Sequence, residues 1–130
     1  MIFSLLITGA PYSSQAADTA YRFAQSLLNQ GHSIHRVFFY ADAVHCASAL
    51  ACPPQDENHV PDNWSQLAQK HNLDLVVCIA AAVRRGILDD NEARRYEKAR
   101  GNLTDNFTLS GLGQLVEAGI VSDRVVTFGA

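Results

Sequence analysis

One stretch constrains the fold more than any other. Leu73-Asp74-Leu75-Val76-Val77-Cys78-Ile79-Ala80 is apolar at every position but one. A half-exposed strand alternates and a surface helix repeats every three or four residues, so a short uniform run points to a strand covered on both faces. Helices on either side of a parallel sheet provide that cover. The other segments fit the same plan. Strands are expected over residues 2–8, 34–40 and 124–128, with a short extended piece over 107–109. Between the first two, residues 16–29 carry Ala20, Phe23, Ala24, Leu27 and Leu28 at the spacing of one buried helix face, and Gly31 supplies a stop. Trp64, Leu67 and Ala68 mark the inner face of a second helix ending near His71. Asp42 is placed to cap a short helix over 42–50, Ser110 to open one over 110–118 with Gly119 at its end, and residues 91–100 form a polar helix. Pro53-Pro54 bars regular structure from the loop over 52–57. Alternating strands and helices imply parallel strands joined by right-handed crossovers. The expected architecture is a three-layer α/β/α sandwich with a mainly parallel sheet of about five strands, in a single domain over residues 1–130.

Composition narrows the function classes. Thirteen acidic and ten basic side chains leave a formal charge of −3, which disfavours a whole-protein electrostatic grip on nucleic acid or anionic lipid. Hydrophobic residues make up 48% of the 130, too many for a disordered chain. No apolar run approaches the roughly 18–20 residues that cross a bilayer. Residues 1–10 lack the positive start of a signal peptide and read as a first buried strand. Three cysteines, Cys46, Cys52 and Cys78, are an odd count that suits free thiols in a reducing compartment. A cytoplasmic location is expected. Charge is uneven: the stretch over 84–100 holds six basic and four acidic residues, +2, against −5 for the rest.

Sites in open parallel sheets form at the carboxyl ends of strands. Cys78 lies near that end of the strongest strand, followed by small alanines and then Arg84-Arg85. The thiolate is the nucleophilic form of cysteine, and nearby cations or a helix N-terminus favour it. The alternative is that Cys78 is plain core, since free cysteine is among the most buried residue types. Ser110-Gly111-Leu112-Gly113 precedes a helical run; its amides offer an anion site, or Ser110 is a helix cap and nothing more. It lacks the G-x-G-x-x-G spacing of a dinucleotide loop. Cys78 and Arg84 are spaced as in the phosphate loop of protein tyrosine phosphatases, but the residues between include no Gly, Ser or Thr to turn amides inward. His45, Cys46, Cys52 and His59 do not have zinc-ligand spacing, so no metal is expected. Phe38, Phe39, Tyr40 and Trp64 read as core, and Phe107, set among polar residues, as an interface contact. Arg94, Arg95, Lys98 and Arg100 read as a solvated face, or as a guide for an acidic partner or RNA.

Four segments together resemble the DsrE/TusD family of sulfur-relay proteins: Val37-Phe38-Phe39-Tyr40, Pro53-Pro54-Gln55-Asp56, Cys78-Ile79-Ala80-Ala81-Ala82-x-Arg84-Arg85-Gly86 and Ser110-Gly111-Leu112-Gly113-Gln114-Leu115-x-Glu117-Ala118. Their order and separation match, and the likeness runs from the first strand to Phe128. One departure is visible after Tyr40, where Ala41-Asp42-Ala43-Val44 stands in place of a glycine-containing turn. The resemblance implies a persulfide sulfurtransferase in which Cys78 is catalytic and carries sulfur. Arg84, Arg85, Ser110 and Gly111 are the candidates for stabilising negative sulfur, with no metal or organic cofactor. It implies assembly with TusB-like and TusC-like subunits into a heterohexamer with two copies of each. It further implies a TusA-type donor, a TusE-type acceptor, and sulfur ending as 2-thiouridine at the tRNA wobble position, without stable nucleic-acid binding by this chain. Alternatives are a DsrE-type subunit that hands sulfur to a DsrC-type partner in dissimilatory sulfur oxidation, a non-catalytic scaffold subunit of the same assembly, or, from fold alone, a flavodoxin-like flavin binder.

Overall fold

A computed structural model describes residues 1–129. In chain order the elements are β1 (Ile2–Ile7), α1 (Ala16–Asn29), β2 (Ser33–Phe39), a 3-10 segment over Ala41–Ala47, α2 (Val60–His71), β3 (Leu75–Cys78), α3 (Ile79–Arg84), α4 (Asp90–Arg95), β4 (Phe107–Ser110), α5 (Gly113–Val121) and β5 (Arg124–Phe128). The five strands form one sheet in the order β4-β3-β2-β1-β5, and every pairing is parallel. The expected three-layer architecture is therefore present.

The strand order explains why helices lie on both faces. From β1 to β4 the chain steps steadily toward one edge, then β5 returns to the far side of β1. Right-handed crossovers in opposite directions must pass over opposite faces. α1 and α2 accordingly pack together on one face. There Trp64 of α2 meets Phe39 of β2 and Tyr21 of α1, each edge to face at 5.5 Å between ring centres. α5 lies against the other face, where Arg36 of β2 reaches the Gln114 carbonyl at 2.9 Å. One continuous core, with Leu5, Ile7, Val37, Phe38, Phe39 and Trp64 at most 1% exposed, fills both interlayers. No helix among the described residues is long and apolar enough to cross a membrane.

Several details differ from the sequence reading: the polar helix expected over 91–100 ends at Arg95, the short helix expected over 42–50 covers Ala41–Ala47, and Tyr40, expected in the core, is 38% exposed. The 73–80 run is a strand only over Leu75–Cys78; Ile79 and Ala80 already belong to α3. An apolar run has the same composition in either state, so periodicity does not mark the change. Ser110 does not open a helix: it is the last residue of β4, and α5 starts at Gly113 without a side-chain cap and carries Gly119 inside it. Asp42 does not cap the short segment after β2, since Tyr40 holds the capping position; its carboxylate accepts instead from Arg85 Nε at 3.0 Å. Phe107 is not a surface contact. It is 6% exposed and tilts against Phe39 at 5.3 Å between ring centres.

The outer side of α5 is unusually apolar. Leu112, Val116, Ile120 and Val121 are all exposed, Ile120 to 79%, and only Ala118 of the helix is fully buried.

Candidate functional site

The parallel ladder pairs Cys78 with Ser110 at the carboxyl ends of β3 and β4. These two strands send the chain to opposite faces. β3 leads into α3, which packs on the 3-10 segment beside α2, while β4 leads into α5 on the other side. Adjacent strands whose connections diverge in this way leave a crevice beyond their carboxyl ends, where open α/β sheets place their ligands. Cys78 and Ser110 therefore stand at the switch point of this sheet, with the exposed Gly111 directly after.

Cys78 occupies the N-cap position of α3 with φ −60° and ψ 117°, and its side chain makes no cap hydrogen bond. The residue is 3% exposed, so the thiol is shielded from bulk water in the isolated chain. Val77 pairs with Phe39, whose ring faces Trp64 of α2. Strand alternation then turns Cys78 toward the α5 face.

The two arginines go separate ways. Arg85 is tied down: Nε donates to Asp42 at 3.0 Å and Nη1 to the Ala81 carbonyl at 3.1 Å. Its guanidinium fastens the end of α3 to the 3-10 segment and is spent on those acceptors. Arg84 is exposed, and among the described residues no carboxylate lies within ion-pair distance of it. It borders a cavity of about 370 Å³ together with Ile79, Ala80 and residues of α4. Of the five candidates, Cys78, Ser110 and Gly111 are brought together, Arg84 stands along α3, and Arg85 serves the scaffold.

The other cysteines are chemically distinct. Cys46 is fully buried, and burial together with the negative charge of Asp18 pushes its thiol pKa far up, so it stays protonated. Cys52 is exposed in the proline loop and its Sγ donates to the Leu50 carbonyl at 3.3 Å. Among the described residues no group of three or more His, Cys, Asp or Glu side chains is arranged to hold a metal ion. Titration of native protein with a disulfide reagent should therefore show one fast thiol, Cys52. Cys46 and Cys78 should lag by about a hundredfold, the factor set by a local opening of roughly 3 kcal/mol. Three equally fast thiols would contradict this burial.

Two features escaped sequence reasoning. Arg36, 8% exposed in β2, binds Asp74 at 2.8 Å, Glu117 at 3.1 Å and the Gln114 carbonyl. An arginine inside a strand signals such a buried pair, but its partners come from distant segments. Asn102 is the second. Its amide donates to the Gly86 carbonyl at 2.9 Å and accepts from the Leu88 amide at 2.8 Å, which clasps the α4 excursion at its base.

This is a parallel α/β domain with a cysteine at the switch point of its sheet. The profile of the DsrE/DsrF-like family matches residues 1–128, and the chain belongs to that family. It is 52% identical over 129 residues, 99% of each chain, to a protein of Allochromatium vinosum described as "Putative sulfurtransferase DsrE". The crystal structure of the ychN protein from E. coli superimposes with a TM-score of 0.77 at 21% identity, covering 98% of this chain and 100% of that one; that likeness concerns the fold.

Proposed function

We propose that the chain is a sulfurtransferase subunit that carries sulfur as a persulfide on Cys78. The observation that carries this reading is the position of Cys78, paired with Ser110 at the sheet's switch point and followed by α3. The name of the 52% identical relative supports it. The reaction is thiol exchange at sulfur. The Cys78 thiolate attacks the outer sulfur of a donor persulfide. A new S–S bond forms on Cys78, the donor's S–S bond breaks, and the donor leaves as a thiolate. An acceptor thiolate then attacks the outer sulfur on Cys78 and releases Cys78 as thiolate. Sulfur moves without net oxidation, so no redox cofactor or metal enters. Ser110, beside Cys78 in the ladder, and Gly111 after it are the candidates to receive the negative outer sulfur, and Arg84 adds a free positive charge along α3. Arg85 is omitted from that role because Asp42 and Ala81 hold it.

On this reading the chain acts in the cytoplasm with TusB-like and TusC-like companion subunits, two copies of each, and the bare apolar side of α5 supports burial in such an assembly. Sulfur arrives from a TusA-type donor. It leaves to a TusE-type acceptor for tRNA 2-thiouridine, or to a DsrC-type acceptor in sulfur oxidation. The DsrE name of the relative favours the second destination. Loss of wobble 2-thiouridine on deletion of the gene would decide for the first.

The test is mass spectrometry after incubation with inorganic polysulfide. One added sulfur, about 32 Da, is expected on the peptide that contains Cys78. Sulfur confined to Cys52, or none at all, would overturn the proposal.

A further inference from the structure

The cavity of about 370 Å³ beside the site is a groove between α3 and α4. Ile79, Ala80 and Val83 give it an apolar wall that begins at the residue bonded to Cys78. Arg84 stands on one rim; Arg95 and Tyr96 stand on the other. Arg95 is 5.5 Å from the centre of the Tyr96 ring.

Two acids of this region are held away from the groove, while Glu92 lines it and Glu97 stands exposed beside Tyr96. Asp89 accepts from the Glu92 amide at 2.8 Å and caps α4. Asp90 accepts from the Gly101 amide at 3.3 Å. Glu92, with a side chain 12% exposed, lies 3.8 Å from Arg95. Arg84, Lys98 and Arg100 are all exposed, and among the described residues none has a carboxylate at ion-pair distance. The groove is thus apolar at its wall and cationic at its rims, in a chain whose remainder carries −5.

We infer that this groove docks a protein segment in which an apolar side chain is flanked by carboxylates, and that such a segment belongs to a protein exchanging sulfur with Cys78. The second clause rests on the proposed function; the first does not. The apolar side chain covers Ile79, Ala80 and Val83, and the carboxylates meet Arg84 and Arg95. An apolar wall offers nothing to a ribose-phosphate backbone, so a peptide suits the groove better than RNA.

The experiment uses fluorescence anisotropy with a labelled peptide of about ten residues bearing one leucine between glutamates. The full-length protein should bind it, and raising salt from about 50 to about 300 mM should weaken the complex severalfold. Arg84→Glu with Arg95→Glu should cost at least about tenfold. Arg22→Glu with Arg124→Glu, an equal charge change on other surfaces, should cost less than about twofold. A peptide with glycine in place of leucine should bind severalfold more weakly. Absence of binding, equal losses in the two double variants, equal binding of the glycine peptide, or displacement by a short single-stranded RNA would each overturn the inference. Circular dichroism of every variant guards against misfolding, and Arg84→Gln with Arg95→Gln should give a smaller loss in the same direction. Polysulfide loading of Cys78 in an Arg95→Glu protein, which leaves Arg84 in place, should equal wild type. Failure of loading in the wild type itself would sink the relay reading and leave the groove result standing.

Discussion

Cys78→Ser is expected to abolish sulfur loading while the protein stays folded. Serine differs by one atom and is only slightly smaller, so the packing where β3 meets α3 survives. The cost is burial of a hydroxyl where a thiol sat, about 1–2 kcal/mol, partly relieved because Ser110 stands beside it in the ladder. The melting temperature should fall by only a few degrees. A hydroxyl neither ionises near neutral pH nor accepts sulfur, so incorporation on the peptide spanning position 78 should drop below about 1% of wild type on polysulfide. The sister variants separate role from setting. Cys52→Ser should change neither loading nor stability, because the residue is exposed. Cys46→Ser should load sulfur normally yet lose about 1–3 kcal/mol, since it places a hydroxyl at a fully buried core position. Undiminished loading of the Cys78→Ser protein would end the assignment.

Arg36→Leu should produce the largest loss of stability among surface-spanning charges. The side chain reaches from β2 to α5 and joins Asp74, Glu117 and the Gln114 carbonyl. Removing one member of a buried pair costs most when the remaining charge is stranded. Here Asp74 and Glu117 are nearly half exposed, 45% and 47% at the side chain, so water takes over and the expected loss is about 2 kcal/mol. Denaturant titration at neutral pH measures it.

The same cluster shapes the acid side of stability. Glu117 has its carboxyl pKa lowered, first by the hydrogen bond from His35 at 2.6 Å, then by the charges of His35 and Arg36. A lowered carboxylate stabilises the fold above its ordinary pKa of about 4.3 and loses that contribution as pH falls through the folded value. Wild type should therefore lose stability on acidification below that range, and Glu117→Gln should flatten this limb. Arg36→Leu should flatten it less, because His35 remains. An unchanged acid limb in Glu117→Gln would contradict the depressed carboxylate.

Local chemistry revealed much of this molecule in advance, and long-range pairing hid the rest. The α1 face from Ala20 to Leu28 could be read because helix periodicity is written in adjacent residues. The order of elements followed for the same reason. Cys78 was located from the rule that sites lie at strand ends. Its pairing with Ser110 depends on strand register across more than thirty residues, which no local pattern encodes. Ser110 was therefore mistaken for a helix cap: Ser-Gly before a helical run has the same composition whether it ends a strand or begins a turn. Arg85 was credited with holding sulfur because it adjoins Arg84 in the chain. Successive helical positions diverge by about 100°, and the partner that claims it, Asp42, belongs to a segment that sequence proximity does not connect. Phe107 looked exposed because its neighbours are polar, whereas strand alternation turns it inward.

The near-complete enclosure of Cys78 has a consequence for economy of transfer. A sulfane sulfur in open solution is quickly stripped by glutathione and other small thiols, and its cargo is lost as hydrogen sulfide. Recessed beneath the surface of this protein, it would meet such scavengers about a hundredfold more slowly, and rapid discharge would await a macromolecule able to engage the surrounding shell. The seclusion that slows a reagent in the test tube would then act in the cell as insulation against leakage.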